Sequence, residues 1–175
     1  VTLTELFRSP LCPEPLKRLL SQFASPAIRN WATVGGNICN ASPAADLLPC
    51  LYAENASLTL RSPTSERSLS VSEFLTGPGS TVLRPDELLT EIRLPLRPAT
   101  VWFYKKVAAR LSNALSKLSL YAAADITDGE IHEFRTAFGA IAPTVVRSVE
   151  MESLLTGLPT GDRRSVLNEL TSGYD

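Results

Sequence analysis

The chain has 175 residues, of which 44% are hydrophobic and 20% are charged, as in an ordinary globular protein. A net charge of -1 and a pI near 5.9 argue against a nucleic-acid or anionic-membrane partner. There is no apolar run of the roughly 18 residues that a membrane span needs, and no signal peptide pattern, so we expect a cytoplasmic protein.

The first elements along the chain are helical. Thr2 followed three residues later by Glu5 is the pattern of a capping box and predicts a helix at the very start. A second helix is predicted over residues 13–24 because apolar residues recur there at helical spacing, and Ser25-Pro26 is expected to end it. Its apolar face is formed by Leu16, Leu19, Leu20 and Phe23.

The next stretch has no regular period. Residues 30–41 predict an irregular loop around Gly35-Gly36, and Ser42-Pro43 predicts the start of a helix that runs to about residue 52. Beyond it, apolar and β-branched residues between turn formers predict strands over residues 56–62, 68–72 and 91–96.

A change of pattern follows residues 95–98, where two prolines indicate a boundary between two domains, 1–97 and 98–175. Strands are predicted over residues 102–107, 114–126 and 131–141, with a hairpin at Asp128-Gly129. Two amphipathic helices are expected in the tail, the second carrying Val166, Leu167 and Leu170. The prediction for the whole chain is an α+β fold with small antiparallel sheets and flanking helices.

Cysteine and histidine give no metal or disulfide pattern. Cys12, Cys39 and Cys50 are odd in number and lack a C-x-x-C spacing, which favours free, buried thiols over a disulfide framework, a zinc site or an iron–sulfur cluster. His132 lies in a strand-like stretch and is expected at the surface. We therefore predict no metal site.

Residues 32–38 form the segment best suited to binding a ligand. Two adjacent glycines allow backbone conformations with positive φ and let a ligand approach the main chain, and consecutive N–H groups can bind phosphate oxygens. Asn37 adds an amide, and Asp46 is an acceptor suited to hydroxyl groups. A tight turn is the alternative, because the segment is neither a Walker loop nor a G-x-G-x-x-G fingerprint.

Residues 28–46, Ile-Arg-Asn-Trp-Ala-Thr-Val-Gly-Gly-Asn-Ile-Cys-Asn-Ala-Ser-Pro-Ala-Ala-Asp, resemble the signature of the flavoprotein subunits of molybdenum hydroxylases, the xanthine dehydrogenase and CO dehydrogenase family. Four further stretches resemble blocks of the same family in the same order. They are residues 1–6, 87–95, 106–110 and 138–144.

The resemblance implies a fold of three lobes, of which this chain carries the second (1–97) and the C-terminal lobe (98–175), a three-stranded antiparallel sheet with helices. The family's N-terminal lobe, which holds part of the FAD phosphate site, is expected to be lacking here. We therefore expect FAD in the intact subunit and weak binding, or none, in these 175 residues alone.

The resemblance also implies which residues contact the cofactor. An aromatic residue packs on it, a glycine loop meets it with its backbone, a carboxylate hydrogen-bonds it, a strand residue touches the flavin and a lysine reaches the flavin's pyrimidine edge. In this chain these are Phe23, Thr33, Val34, Gly35, Gly36, Asn37, Asp46, Leu89 and Lys106. Phe23 is equally explained by core packing, and Lys106 by a charge at a strand edge.

The function that the resemblance implies is electron transfer within an oxidoreductase. Electrons would pass from a molybdenum-cofactor subunit through [2Fe–2S] clusters to FAD and on to an acceptor such as NAD, with no catalytic residue in this chain. Two rival interpretations stay open: an FAD-free assembly domain, and a generic nucleotide- or anion-binding module.

Overall fold

The computed structural model of the protein describes residues 1–95, 97–110 and 114–161. The second predicted tail helix, with Val166, Leu167 and Leu170, lies outside the described residues. The helices are α1 (Leu3–Arg8), α2 (Glu14–Gln22), α3 (Pro26–Trp31), α4 (Val34–Cys39), α5 (Leu48–Ala53), α6 (Val71–Phe74) and α7 (Val149–Leu154). The strands are β1 (Ser57–Arg61), β2 (Glu66–Ser70), β3 (Leu75–Gly77), β4 (Ser80–Thr81), β5 (Leu88–Arg93), β6 (Val101–Ala108), β7 (Ser116–Thr127) and β8 (Glu130–Gly139).

The first two helices agree with the sequence prediction. The Thr2 hydroxyl accepts a hydrogen bond from the Glu5 N–H at 3.2 Å, and the Glu5 carboxylate accepts one from the Thr2 N–H at 2.7 Å, which completes the capping box. In α2, Leu16, Leu19 and Leu20 are buried. Both helices therefore fold against the core as their apolar spacing requires.

The prediction of an irregular loop over residues 30–41 is wrong, because two six-residue helices, α3 and α4, occupy residues 26–31 and 34–39. Ser25 caps α3 and Thr33 caps α4, each by accepting a hydrogen bond from a backbone N–H three residues on. Helices this short contain less than two turns, so no apolar period could reveal them.

The helix predicted from Ser42-Pro43 is also displaced. Residues 43–47 form turns, and α5 begins at Leu48, so that Asp46 precedes the helix instead of lying inside it. All six residues of α5 are buried. Such a helix has no solvent face and packs against its surroundings on every side.

Residues 57–93 contain a three-stranded antiparallel sheet in the order β2-β1-β5 and a two-stranded pair, β3 and β4. In β1, Leu58 and Leu60 alternate inward and are fully buried, whereas Arg61 at the strand's end is exposed. Burial on one face only is the reason for this alternation. β1, β2 and β5 correspond to the three predicted strands, although β2 and β5 begin and end earlier than predicted. The short pair β3 and β4 was not predicted.

The second sheet is antiparallel in the order β6-β7-β8. Asp128 and Gly129 turn between β7 and β8 with φ of 52° and 80°, the two positive values that a tight hairpin turn requires. The predicted hairpin is confirmed, and so is the α+β class of the fold.

The helix α5 links the second sheet to the helices of the first half. It packs on β7 and β8 from one side, and the inward residues Tyr104, Tyr121, Ala123 and Ala137 belong to the same buried cluster as the helices of the first half. The region therefore has one continuous hydrophobic core across the predicted domain boundary.

Within the described part of the chain, no helix has the length and apolarity needed to cross a lipid bilayer. Cys12 and Cys50 are free, buried thiols, as predicted, whereas Cys39 is free but only half-buried. His132 is exposed. The described residues contain no cluster of histidine, cysteine or carboxylate groups that could hold a metal.

A buried carboxylate fixes the turn before β5. The Glu87 side chain, 2% exposed, accepts hydrogen bonds from the Arg67 guanidinium at 2.7 and 2.8 Å and from the Arg84 N–H at 2.9 Å. The hydrogen bond from Arg67 is the main reason that the pKa of Glu87 falls to about 2. Sequence reasoning used Glu87 only as part of a family block and missed this role.

This pKa gives a pH-dependence prediction. The folded-state pKa lies below the roughly 4.3 of an unfolded glutamate, so Glu87 stabilises the fold above that value and the contribution disappears as the pH falls toward 2. We expect Glu87→Gln to be less stable at neutral pH and to lose less stability between pH 5 and 2, measured by urea unfolding. Glu66→Gln, which removes the exposed pair with Arg61, is the control; identical acid profiles of Glu87→Gln and the unaltered protein would contradict the prediction.

Candidate functional site

Two cavities lie on either side of α4, and together they contain all nine residues predicted to contact a cofactor. The α4–β5 cavity, of about 700 Å³, is lined by apolar side chains of α1, α2 and β5 and by the start of α4. The Asp46 cavity, of about 290 Å³, is lined by polar and apolar residues from α2 to Asp46, by Lys106 of β6 and by the two residues that precede β7. The predicted residues therefore lie in one region of the fold, but they line two separate cavities.

The α4–β5 cavity contains five of them. Its members are Thr33, Val34, Gly35, Gly36 and Leu89. The segment is tied to the start of the chain, where the Leu3 N–H donates to the Ala32 carbonyl at 2.9 Å. Leu89 on β5 faces Gly35, where an added Cβ would lie 3.8 Å from the leucine Cδ2.

The adjacent glycines serve a different purpose from the one predicted. Neither has a positive φ; among the described glycines those are Gly79, Gly129 and Gly157. Instead, a Cβ at Gly36 would approach the Thr33 hydroxyl to 2.9 Å, closer than real Cβ contacts come. Glycine at position 36 is thus needed for the Thr33 cap, and Gly35 and Gly36 leave two adjacent positions in the first turn of α4 without side chains.

The Asp46 cavity contains the other four predicted residues. They are Phe23, Asn37, Asp46 and Lys106. Phe23 is 8% exposed and belongs to the hydrophobic core, and it also lines the cavity, so the two interpretations of this residue are compatible. Phe23 ends α2, Asn37 lies in α4 and Lys106 lies on β6, so three separate elements meet here.

The centre of this cavity is a buried ion pair between the two halves of the chain. The Lys106 ammonium lies 2.6 Å from Asp46 Oδ2, with side chains 13% and 9% exposed. The Ser116 hydroxyl donates to Asp46 Oδ1 at 2.7 Å. Sequence reasoning named Asp46 and Lys106 separately but did not pair them, and it missed Ser116, for which no local signal exists.

Some buried polar side-chain atoms of the described residues have no hydrogen-bond partner. Among the described residues they include Asn37 Oδ1, the Tyr104 hydroxyl and the Ser119 hydroxyl. Burial, with a contribution from nearby Asp46, raises the pKa of Tyr104 well above its ordinary value, so this phenol stays neutral. Of these three residues only Asn37 lines the Asp46 cavity. Because buried polar groups normally have partners, its unsatisfied oxygen indicates room for a bound molecule or water.

A second group of buried charges holds the halves together away from the cavity. Arg135, 1% exposed, donates to Glu54 Oε1 at 3.1 and 3.3 Å, and the Tyr121 hydroxyl donates to the same oxygen at 2.8 Å. Burial raises the pKa of neighbouring Cys50 far above its ordinary range, so this thiol is unreactive. These groups are structural.

Comparison with known proteins decides the family. Residues 1–97 match the family described as the FAD binding domain in molybdopterin dehydrogenase. Residues 102–171 match the CO dehydrogenase flavoprotein C-terminal domain. The chain belongs to the flavoprotein family of the molybdopterin dehydrogenases. Its relatives are subunits or chains of dehydrogenases, and the chain carries their FAD-binding domain.

Two curated relatives of this flavoprotein illustrate the match. The putative xanthine dehydrogenase FAD-binding subunit of Escherichia coli is 33% identical over 165 residues, covering 90% of this chain and 56% of the relative. The glyceraldehyde dehydrogenase medium chain of Sulfolobus acidocaldarius is 34% identical over 136 residues, covering 77% and 48%. The flavoprotein chain thus spans about half the length of these relatives.

The fold is that of a solved carbon monoxide dehydrogenase. A chain of the Hydrogenophaga pseudoflava enzyme superposes with a TM-score of 0.88 at 24% identity, covering 98% of this chain and 60% of the other. A chain of quinoline 2-oxidoreductase from Pseudomonas putida superposes with a TM-score of 0.83 at 23% identity, covering 91% of this chain and 56% of the other. At this identity the likeness establishes the fold alone.

Proposed function

We propose that the chain is the FAD-holding part of an electron-transfer subunit in a molybdenum-containing dehydrogenase. The observation that carries the proposal is the match of residues 1–97 to the FAD-binding domain of that family. The two cavities on either side of α4 support it, because together they contain every residue that the family resemblance assigns to the cofactor.

The residues present fit FAD in size and in chemistry. The α4–β5 cavity, at about 700 Å³, is in the range of ligand sites, and its walls are mostly apolar with a few polar groups. In the Asp46 cavity, the unpartnered Asn37 Oδ1 can accept a hydrogen bond, and the Lys106 ammonium has three protons, one of which Asp46 uses. A cofactor with hydroxyl and imide groups satisfies these atoms.

Each residue would have a defined task. Gly35 and Gly36 offer backbone without side chains, Thr33 and Val34 line the cavity beside them, and Leu89 supplies an apolar contact. Phe23 gives an aromatic surface, while Asn37 and Asp46 accept hydrogen bonds. Lys106 places a positive charge that favours negative charge on a bound group, and burial strengthens this attraction. When bound, FAD supplies the capacity to accept and pass on electrons.

The partners and the electron path follow from the same proposal. The described residues contain no ligand set for a cluster, so the electrons must come from [2Fe–2S] and molybdenum-cofactor components outside these residues. NAD is the proposed acceptor, and the proposed domains are 1–97 and 98–175. We place the protein in the cytoplasm.

The expected result of a binding experiment is that the full-length protein is yellow, with absorption bands at about 370 and 450 nm. Added FAD should raise the unfolding temperature of cofactor-free protein, because a ligand at 100 times its Kd stabilises the fold by about 2.7 kcal/mol. ADP and inorganic phosphate are the control ligands. Equal stabilisation by ADP would favour the generic nucleotide module, and no response to any ligand would favour the assembly domain.

A further inference from the structure

We infer that Ser116 is a positioning residue of the cofactor site: it fixes Asp46, and through Asp46 the Lys106 ammonium, so that the C-terminal lobe completes the FAD site of the first lobe. The inference rests on the proposed function. Ser116 belongs neither to the family signature nor to the nine predicted contacts.

The first support is the geometry at Asp46. Each carboxylate oxygen has one strong donor, Lys106 at 2.6 Å on Oδ2 and Ser116 at 2.7 Å on Oδ1. Ser116 is 7% exposed and Asp46 is 7% exposed, so water cannot readily replace the hydroxyl. A carboxylate held at both oxygens cannot rotate, and the ammonium bound to it is held in place as well.

The second support is a β-bulge that turns Ser116 inward. Along β7, Ser119 and Tyr121 point toward the interior and pair with Lys106 and Tyr104 of β6. Strict alternation would next direct position 117 inward. The register shifts there, however: Val107 pairs with Leu118 and Ala108 pairs with Ser116, so that β7 has one extra residue.

The extra residue is Lys117, which is exposed, whereas Ser116 is buried against Asp46. Bulges re-aim side chains and are frequent beside functional sites. The break in the pleat thus brings the Ser116 hydroxyl to Asp46 instead of the Lys117 ammonium. A second ammonium beside that of Lys106 would make the cavity more positive.

The chain offers a matched control. Ser119 lies three residues further on the same strand, is fully buried, and has a hydroxyl without a hydrogen-bond partner. Ser116→Ala and Ser119→Ala remove the same atom from the same strand at similar burial. The two variants differ in whether that atom donates to Asp46.

The experiment uses the full-length protein with FAD, in three variants: Ser116→Ala, Ser116→Thr and Ser119→Ala. We expect Ser116→Ala to raise the Kd for FAD about 10-fold, by flavin fluorescence, because a hydrogen bond to a charged group is lost. Ser116→Thr keeps the hydroxyl and should stay within about 3-fold of the unaltered protein, as should Ser119→Ala. The midpoint potential of bound flavin should fall in Ser116→Ala alone, since Lys106 is no longer held in place.

The outcomes separate this inference from the proposed function. If Ser116→Ala binds FAD as tightly as the unaltered protein, or if Ser119→Ala weakens binding equally, the positioning role is wrong while the FAD-binding proposal stands. An unchanged flavin potential in Ser116→Ala also overturns the role. If the unaltered protein takes up no FAD, the proposed function fails and this inference fails with it.

Discussion

Arg135→Ala is expected to destabilise the protein by about 3–5 kcal/mol, measured as the free energy of unfolding in urea. Arg135 is 1% exposed, and its guanidinium donates to Glu54, to Glu133 at 2.8 Å and to the Pro98 carbonyl at 3.2 Å. Removing it leaves the Glu54 carboxylate buried with the Tyr121 hydroxyl and, at 3.5 Å, Arg97. A buried charge without its main partner is the reason for the large cost.

The comparison with an exposed pair tests this reason. Arg61 and Glu66 are 57% and 52% exposed in their side chains, and Arg61→Ala should cost less than about 1 kcal/mol. Replacing both buried partners, as Glu54→Leu with Arg135→Met, should cost less than the sum of the two single changes, because no lone charge remains. A loss below about 1 kcal/mol for Arg135→Ala would contradict the structural role of the pair.

The location of these charges explains how the two halves cohere. Glu54 directly follows α5, the fully buried helix that packs on β7 and β8, and Arg135 lies on β8. Arg147 adds a second tie: its guanidinium binds both oxygens of Glu152 at 2.9 Å and donates to the Tyr52 carbonyl. The interface thus combines apolar contact with ion pairs that have defined partners, which fixes one relative orientation.

Local patterns were read correctly where one signal decides the structure. The capping box at Thr2 and the Asp128-Gly129 turn needed only neighbouring residues, and both were predicted. The helices α3 and α4 were missed because a capping serine or threonine is also a common loop residue. Ser25-Pro26 was expected to end the second helix, but α2 already ends at Gln22 with Phe23 as its C-cap, and Ser25-Pro26 instead starts α3.

The contacts within the candidate site could not be predicted from the sequence. The residues came from a family resemblance, but their contacts join positions distant in sequence. Asp46 meets Lys106 and Ser116 sixty and seventy positions away, and Glu54 meets Arg135 across eighty-one. Such pairs depend on how α5 packs against the second sheet, and no local propensity encodes that arrangement. For the same reason, the sequence indicated Asp46 and Lys106 as two separate candidate residues and not as an ion pair.

The central ion pair gives the prediction with the largest expected effect on the cofactor. In the full-length protein, Asp46→Ala should raise the Kd for FAD by about 10- to 150-fold, because a charge-assisted hydrogen bond contributes about 1.5–3 kcal/mol. The change removes the acceptor in the cavity. It also releases Lys106 and Ser116, because both side chains donate hydrogen bonds to this carboxylate. Fluorescence titration of cofactor-free protein measures the change.

Asn40→Ala and Ser42→Ala are the matched controls, since both residues line the same cavity without contacting the pair. Asn40 is exposed, and the Ser42 hydroxyl accepts a local hydrogen bond from the Ala44 N–H at 3.3 Å, so each should change the Kd by less than about 3-fold. Circular dichroism of the cofactor-free variants shows whether the fold is intact. If Ser42→Ala releases as much flavin as Asp46→Ala from folded protein, the loss reflects the shape of the cavity, and Asp46 is not the group that recognises the cofactor.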